Sequence, residues 1–485
     1  MNLVLAGQRP APRAGWLRPL AWLVACAAIG VAIALPEPTQ LVVGAFAAIA
    51  LVLTFIQPLA ALPLLLVAVP FGGLARATPS ETSSITTTEL AVGAAEILVA
   101  LLGAAWLARS VARRRLTIAF SPTAIAIATM VALTALSIGY ADNKALAIKE
   151  ALKWLELLLV LLVVVDLITD QRRALVVVGA LLAAGAAEAA YGAYQFATGA
   201  GPDQFAVQGA LRAFGHFEQP NPFAGYLTTI APLAVLMAAT PANPTRYRWF
   251  AGISAAIIVA GIGLSQSRGA WLGALVAMLC LAFTWSETTR RLLIPGAVLA
   301  TLAVALAVSG LLPPAILDRI AQTIEYFGVF DVRNVQVSAE NWAVVERMAH
   351  WQAGWYMFLD HPWLGVGAGN YAEAYGSYFV GPWPEALGHA HNYYLNMLAE
   401  LGVVGGALLL TILVLSFRRI GGQLLRSESE QRTFWRALLA GCLGGLVVFC
   451  VHNLFDSLFV HSVNIQIGVL LGLGLVAARR VGQST

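Results

Sequence analysis

The stretch GHAHNYYLNMLAELGVVGGALLLTILVLSFRR, residues 388–419, carries the pattern that decides the fold. It opens on polar, histidine-bearing residues, continues as a long apolar run and closes on Arg418-Arg419. About 20 apolar residues are needed to cross the roughly 30 Å hydrocarbon core of a bilayer. The run over 392–417 meets that length. Working outward, comparable segments lie at 16–35, 40–56, 58–74, 89–108, 119–139, 150–168, 174–197, 222–240, 249–266, 271–286, 292–312, 435–455 and 459–478. Gln57-Pro58 separates the second from the third, which are two short helices or one re-entrant hairpin. The composition agrees: 59% of the 485 residues are hydrophobic and 11% charged, against about 25% charged in soluble domains. The expected fold is all-α, a polytopic membrane bundle of about 12–14 transmembrane helices. The four cysteines fall within apolar segments, so no disulfide framework is expected.

Orientation follows from the basic residues. With the N-terminus inside, the cytoplasmic connections hold Arg109 and Arg113–Arg115, Arg172-Arg173, Arg246 and Arg248, Arg290-Arg291, Arg418-Arg419 and Arg479-Arg480. This is the positive-inside pattern; Lys144 and Lys149, in a short outer connection at 140–149, are the exception. The basic N-terminus before an apolar run reads as a retained signal anchor, since further spans follow.

On the outer side three longer segments remain: 75–88, 199–221 and 313–391. The last is 79 residues long, and a loop of that length inside a compact protein is functional or disordered. Its five tryptophans argue for order, and residues 338–360 read as an amphipathic helix with Ser338 as N-cap and His361-Pro362 as its stop. All seven histidines fall in outer loops or at outer span ends, which puts the candidate chemistry on that face. The loop carries eight acids and three arginines, so anion binding there must be local to individual arginines.

Cations on the outer side run against the positive-inside rule and need a reason. Arg268 interrupts an apolar run in GLSQSRGAWLGAL. It is a snorkelling helix anchor or a phosphate clamp, since guanidinium matches phosphate oxygens with paired hydrogen bonds. Arg212 sits in LRAFGHFEQPNPFAGYL beside His216, Glu218 and Asn221, as a solvated loop charge or a ligand group. Arg347 shares a helix face with Trp351 and Trp355, which suits a sugar ring or a membrane surface equally. His391 and Asn392 stand where the long loop meets the next span. A neutral His391 suits proton transfer from a hydroxyl, with a structural cap as the other reading. His389-x-His391 has metal-ligand spacing, but so many other potential ligands surround it that the spacing is uninformative, and proton transfer is the favoured reading over a metal. The Gly365-x-Gly367-x-Gly369 run follows a helix stop and reads as a turn; Glu96, Glu188, His452 and Asp456 carry no assignment.

The runs ERMAHWQAGWYMFLDHPWLGVGAGNY (346–371) and HAHNYYLNMLAELGVVG (389–405) resemble the signature region of the bacterial O-antigen ligase and polymerase family. GHFEQPNPFAGYL and SQSRGAWLG are similar to its two upstream motifs. The resemblance implies a GT-C-like membrane glycosyltransferase of the bacterial inner membrane, acting on the periplasmic or exterior face. Its donor would be a glycan on a polyprenyl (undecaprenyl) diphosphate and its acceptor a hydroxyl of a glycan, lipid or protein. It implies inversion, and neither cofactor nor metal; nucleic acid is no expected partner. In its terms Arg212, Arg268 and Arg347 hold the donor diphosphate and His391 activates the acceptor. His389, Asn392, His216, Asn221, Trp351 and Trp355 are further acceptor or sugar contacts. The chain then divides into N-terminal helices (1–198), a ligase-like core (199–406) and C-terminal helices (407–485). A transporter or flippase is the rival reading; it would need ionisable sites at the membrane midplane.

Overall fold

The computed structural model describes residues 2–4, 51–52, 54–71, 93–114, 117–119, 121–207, 210–308, 331–338, 341–427 and 433–484. In chain order the helices are α1 (Pro58–Ala68), α2 (Ala94–Ala112), α3 (Pro122–Ser137), α4 (Lys144–Leu167), α5 (Gln171–Thr198), α6 (Pro220–Ala239) and α7 (Thr245–Leu264). There follow α8 (Arg268–Trp285), α9 (Glu287–Val308), α10 (Trp342–Asp360), α11 (Tyr371–Tyr375), α12 (Tyr393–Arg426), α13 (Phe434–His452) and α14 (Val463–Ser484). Strand pairing is confined, among the described residues, to two short antiparallel pairs. One joins β1 (Asn2–Val4) to β2 (Thr117–Ala119), and the other joins β3 (Ala206–Val207) to β4 (Ala210–Leu211).

Among the described residues, eight helices are long and apolar enough to cross a membrane: α2, α5, α6, α7, α8, α12, α13 and α14. Helices α1 and α3 are apolar but shorter, and α4 and α9 cover two more of the expected spans. The chain is an all-α polytopic membrane protein. The expected span at 16–35, and 40–56 up to residue 50, lie outside the described residues, as do 75–88 and 309–330.

Three boundaries differ from the sequence reading. The expected connection at 140–149 is mostly helix, because Asn143 caps α4 by accepting the Leu146 N–H at 3.3 Å, so Lys144 and Lys149 lie in its first turns. Helix α10 begins at Trp342 rather than at Ser338. Ser338 and Asn341 instead bond reciprocally, with the Ser338 N–H on Asn341 Oδ1 at 2.7 Å. Helix α12 runs on to Arg426, which places Arg418-Arg419 within it.

Without a hydrophobic force between helices in lipid, close packing rests on small residues that let backbones approach. Helix α13 presents Gly441 and Gly445 to α6: a Cβ on Gly445 would lie 2.6 Å from the Thr229 carbonyl oxygen. Helix α14 meets α4 the same way, with Gly468 2.9 Å from the Leu157 oxygen by the same measure. Gln466 of α14 donates to Thr229 Oγ1 at 2.7 Å and to the Tyr226 carbonyl at 3.2 Å, tying α14 to α6. Helices α4, α14, α13 and α6 thus form the packed centre, with α8 against α13 and α7 against α6.

The two ends of this bundle differ in chemistry. At one, arginines bond carbonyls left free at helix C-termini. Arg173 reaches Leu167 O at 3.0 Å, Arg248 reaches Ala238 O at 3.0 Å and Arg436 reaches Trp285 O at 2.7 Å. Such cations at helix ends satisfy orphan acceptors. At the other end, the segment after α10 docks onto α12 and the α3–α4 connection. Gly402 makes this possible. Its φ of 62° and ψ of −162° kink α12, and a Cβ there would lie 2.3 Å from Trp363 backbone atoms. The freed Val403 N–H bonds Pro362 O at 2.8 Å, while the Glu400 carboxylate accepts the Gly369 N–H at 2.8 Å. Asn370 exchanges hydrogen bonds with the Asn143 backbone at 2.7 and 3.1 Å. The glycine run 365–369 is a turn, as expected.

Candidate functional site

Arg212 leaves the β3–β4 hairpin and is fixed twice: its Nε donates to Ser265 O at 2.8 Å and its Nη2 to Asn221 Oδ1 at 3.0 Å. The turn that follows is anchored from within α5. Gln195 bonds the Gly215 N–H and carbonyl at 2.7 and 3.0 Å, and Glu188 accepts the His216 N–H at 2.6 Å. The same carboxylate meets His216 Nδ1 at 2.9 Å, and the imidazole is stacked on Tyr191, with ring centres 4.3 Å apart. The buried Glu188 thus locks the turn that presents Arg212.

Arg268 opens α8 behind Ser267, and Arg347 lies on the second turn of α10. Among the described residues neither guanidinium has a hydrogen bond or ion pair to the protein. Both act on Arg212. Burial first, then the charges of Arg347 and Arg268, lower the Arg212 pKa to about 10, against an opposing pull from Asp456. Three cations from three separate segments therefore converge, two with unused donors. Such an arrangement is costly unless an anion completes it.

Beside them lies a histidine–carboxylate group. His391 Nδ1 stands 3.5 Å and His389 Nε2 3.8 Å from Asp456 Oδ1, in the loop between α13 and α14. Burial would raise the Asp456 pKa, but the facing His391 and the positive charge of Arg347 outweigh it and hold the carboxyl below its usual range. His389 accepts the His391 N–H on its Nδ1 at 3.1 Å, which fixes its proton on Nε2, facing Asp456. Burial lowers the His389 pKa to about 3, so it stays neutral. Among the described residues His391 Nδ1 has no other partner, which leaves Nδ1–H to face Asp456 and Nε2 as the basic nitrogen.

His350, fully buried on α10, lies edge-on to His391 with ring centres 5.4 Å apart. Burial, then the two neighbouring histidines, lowers its pKa to about 3. Its Nδ1 meets the Tyr371 hydroxyl at 3.2 Å, and that hydroxyl donates to the His350 carbonyl at 2.9 Å.

The structure thus brings Arg212, Arg347, His389 and His391 to Asp456, and Arg268 to Arg212. Asn221 holds Arg212, and Asn392 caps α12 by accepting the Tyr394 and Leu395 N–H groups, both at 3.1 Å. His216 is engaged by Glu188 and Trp351 by the His391 carbonyl, while Trp355 is half exposed. Asp456 and His350 carried no role in the sequence reading. Asp456 stands four residues from His452 in sequence, and only the fold turns it toward a loop that precedes it by some 65 positions. His389, His391 and Asp456 have ligating atoms within 4.8 Å of one another, so they are the side chains that would hold a metal ion. The charges of Arg212 and Arg347 beside Asp456 oppose a further cation there.

Fold and site together define a polytopic membrane protein with a cluster of arginines and histidines at one end of its helical bundle. The family model described as O-antigen ligase matches residues 253–410, from α7 into α12, and that match supports a likeness to the O-antigen ligase and polymerase family over this part of the chain. The match includes Arg268, Arg347, His389 and His391; Arg212 and Asp456 lie outside it. It supports a ligase-like glycan transfer by a glycosyltransferase-like enzyme, with lipid-linked glycan donors and membrane lipids as the implied partners. No curated protein matches the chain.

Proposed function

We propose that this protein transfers a glycan from a polyprenyl (undecaprenyl) diphosphate to an acceptor hydroxyl, on the periplasmic or outer face of the inner membrane. The observation that carries the reading is the convergence of Arg268 and Arg347 on Arg212, beside the His391–Asp456 pair that Arg212 and Arg347 also face. The guanidinium groups hold the donor diphosphate, two of them through donors that no described residue engages. The acceptor oxygen attacks the anomeric carbon while its proton passes to His391 Nε2. The bond to the diphosphate oxygen breaks and the leaving group departs with the electron pair. Charge accumulates on that diphosphate, so preorganised cations are the largest expected contribution. Asp456 holds His391 in the productive tautomer and stabilises the imidazolium as it forms. One displacement at the anomeric carbon gives inversion, and the cations do the work a divalent metal would otherwise do. Trp355, half exposed on the same helix as Arg347, is placed to meet a sugar ring.

The test is turnover of a polyprenyl-diphosphate oligosaccharide by purified protein in nanodiscs, with and without a chelator, comparing wild type and His391→Ala. Transfer that survives the chelator and is lost in His391→Ala supports the reading. Transfer that needs an added metal, or that His391→Ala retains, refutes it.

A further inference from the structure

The backbone of His391 is held in an unusual place. Its φ of +51° lies in the left-handed region, uncommon for residues other than glycine, although Asn, Asp and His enter it more often than the rest. Such a conformation persists where the surroundings over-determine it, and here the restraints can be named. On the N-terminal side the His391 N–H bonds His389 Nδ1 at 3.1 Å, and the preceding Ala390 N–H bonds Asn396 Oδ1 at 3.0 Å. On the C-terminal side Asn392 is committed to capping α12. All of these come from the same stretch of chain. From elsewhere in the chain, the Tyr393 N–H bonds Asn453 O at 2.9 Å, and the restraint on the His391 backbone itself, among the described residues, is the indole of Trp351, whose Nε1–H donates to the His391 carbonyl at 3.2 Å.

Trp351 is itself well fixed. It packs against the buried cluster of Val332, Val345, Met348, Val380 and Trp383, and Gln352, its neighbour, bonds the Val332 N–H at 3.2 Å. It also lies one helical turn from Arg347, so the two share a face of α10. One rigid helix therefore carries a cation of the anion site and the donor that grips the backbone of the histidine.

We propose that Trp351 is a positioning residue for His391, setting the imidazole at a fixed offset from Arg347, and that it serves the reaction through this bond rather than as a sugar platform. The inference rests on the general-base reading of His391 and adds the device that holds the base in register with the leaving group. A reacting geometry misplaced by about 1 Å costs on the order of 100-fold in rate, so loss of one restraint has a measurable consequence. A sugar contact would act differently, through substrate affinity.

The experiment compares wild type, Trp351→Phe, Trp351→Gln and His391→Ala in nanodiscs, with rates measured against both donor and acceptor concentration. Carbethoxylation of His391 by diethylpyrocarbonate, followed by mass spectrometry, reports the imidazole's surroundings without requiring turnover. Trp351→Phe keeps an aromatic ring and loses the donor. It is expected to lower kcat by about 10-fold or more with KM values within about twofold, and to change the His391 modification rate. Trp351→Gln, which restores an N–H donor, is expected to recover part of kcat. Unchanged kcat and modification in Trp351→Phe, or a raised KM at unchanged kcat, overturns the proposal while leaving the general base intact. Full transfer by His391→Ala overturns the general-base reading itself, whatever Trp351→Phe does.

Discussion

Replacing Asp456 with asparagine changes one oxygen to an amide nitrogen and removes one charge at nearly constant volume. The carboxylate stands 3.5 Å from His391 Nδ1 and is buried in the α13–α14 loop, where its Oδ1 also accepts the Ser457 N–H at 2.9 Å. On the proposed mechanism His391 takes up the acceptor's proton and becomes an imidazolium, and the attraction between the two charges appears only then. With an effective dielectric constant of about 20, a pair at the 3.5 Å separation seen here gains about 332/(20 × 3.5), or about 4.7 kcal/mol. That is a ceiling of roughly 3,000-fold in rate. The 3.5 Å contact is longer than a formed hydrogen bond, and the asparagine keeps a dipole in place. The expected loss for Asp456→Asn is therefore about 100- to 1,000-fold in kcat. KM for the donor should change little, since the arginines supply the binding. The assay is initial-rate transfer from a lipid-linked oligosaccharide in nanodiscs, with thermal melting to confirm the fold. A folded Asp456→Asn protein with kcat within about threefold of wild type would refute the assignment of Asp456 to His391.

Arg268 makes no bond to the protein among the described residues, so Arg268→Ala should melt as wild type does. It should still lose about 10- to 150-fold in kcat/KM, the equivalent of one charge-assisted hydrogen bond of about 1.5–3 kcal/mol. Unchanged kcat/KM would remove Arg268 from the anion site. Gly402→Ala puts a Cβ 2.3 Å from the Trp363 backbone at a φ of 62°; a lowered melting temperature in detergent is expected, and an unchanged one would contradict the docking of the loop on α12. His350 has its pKa lowered to about 3 by burial, against about 6.5 in an unfolded chain. Its stabilising effect is then complete above about pH 6.5 and falls by about 1.4 kcal/mol per unit as the pH drops below it. Melting between pH 7 and 5 should fall more steeply for wild type than for His350→Gln, and parallel curves would contradict the burial of a neutral imidazole.

The fold was legible because its signals are local. Apolar length, with Arg173, Arg248 and Arg480 at alternating ends, requires no knowledge of what packs on what. Boundaries were less legible where capping decides them. Asn143 extends α4 over Lys144 and Lys149, and the Ser338–Asn341 exchange delays α10 to Trp342. Arg212, Arg268, Arg347 and His391 could be picked out because cations and histidines at an outer membrane boundary call for a reason. Their convergence could not, since it depends on how α8, α10 and the α6 approach are packed. Asp456 was hidden for the same cause: four residues from His452 it suggests a helical pair, whereas the chain leaves the helix after His452 and swings the carboxylate to His391. Trp351 was legible as an aromatic on the Arg347 face, but the direction of its N–H is a tertiary fact.

The measurement that bears most directly on the anion site is binding of a polyprenyl diphosphate to the purified protein, free of any glycan or turnover. Wild type should bind it more tightly than the corresponding monophosphate, and the double variant Arg268→Ala/Arg347→Ala should lose that preference while His391→Ala keeps it. Equal affinity of wild type and the double variant for the diphosphate would contradict the site described here.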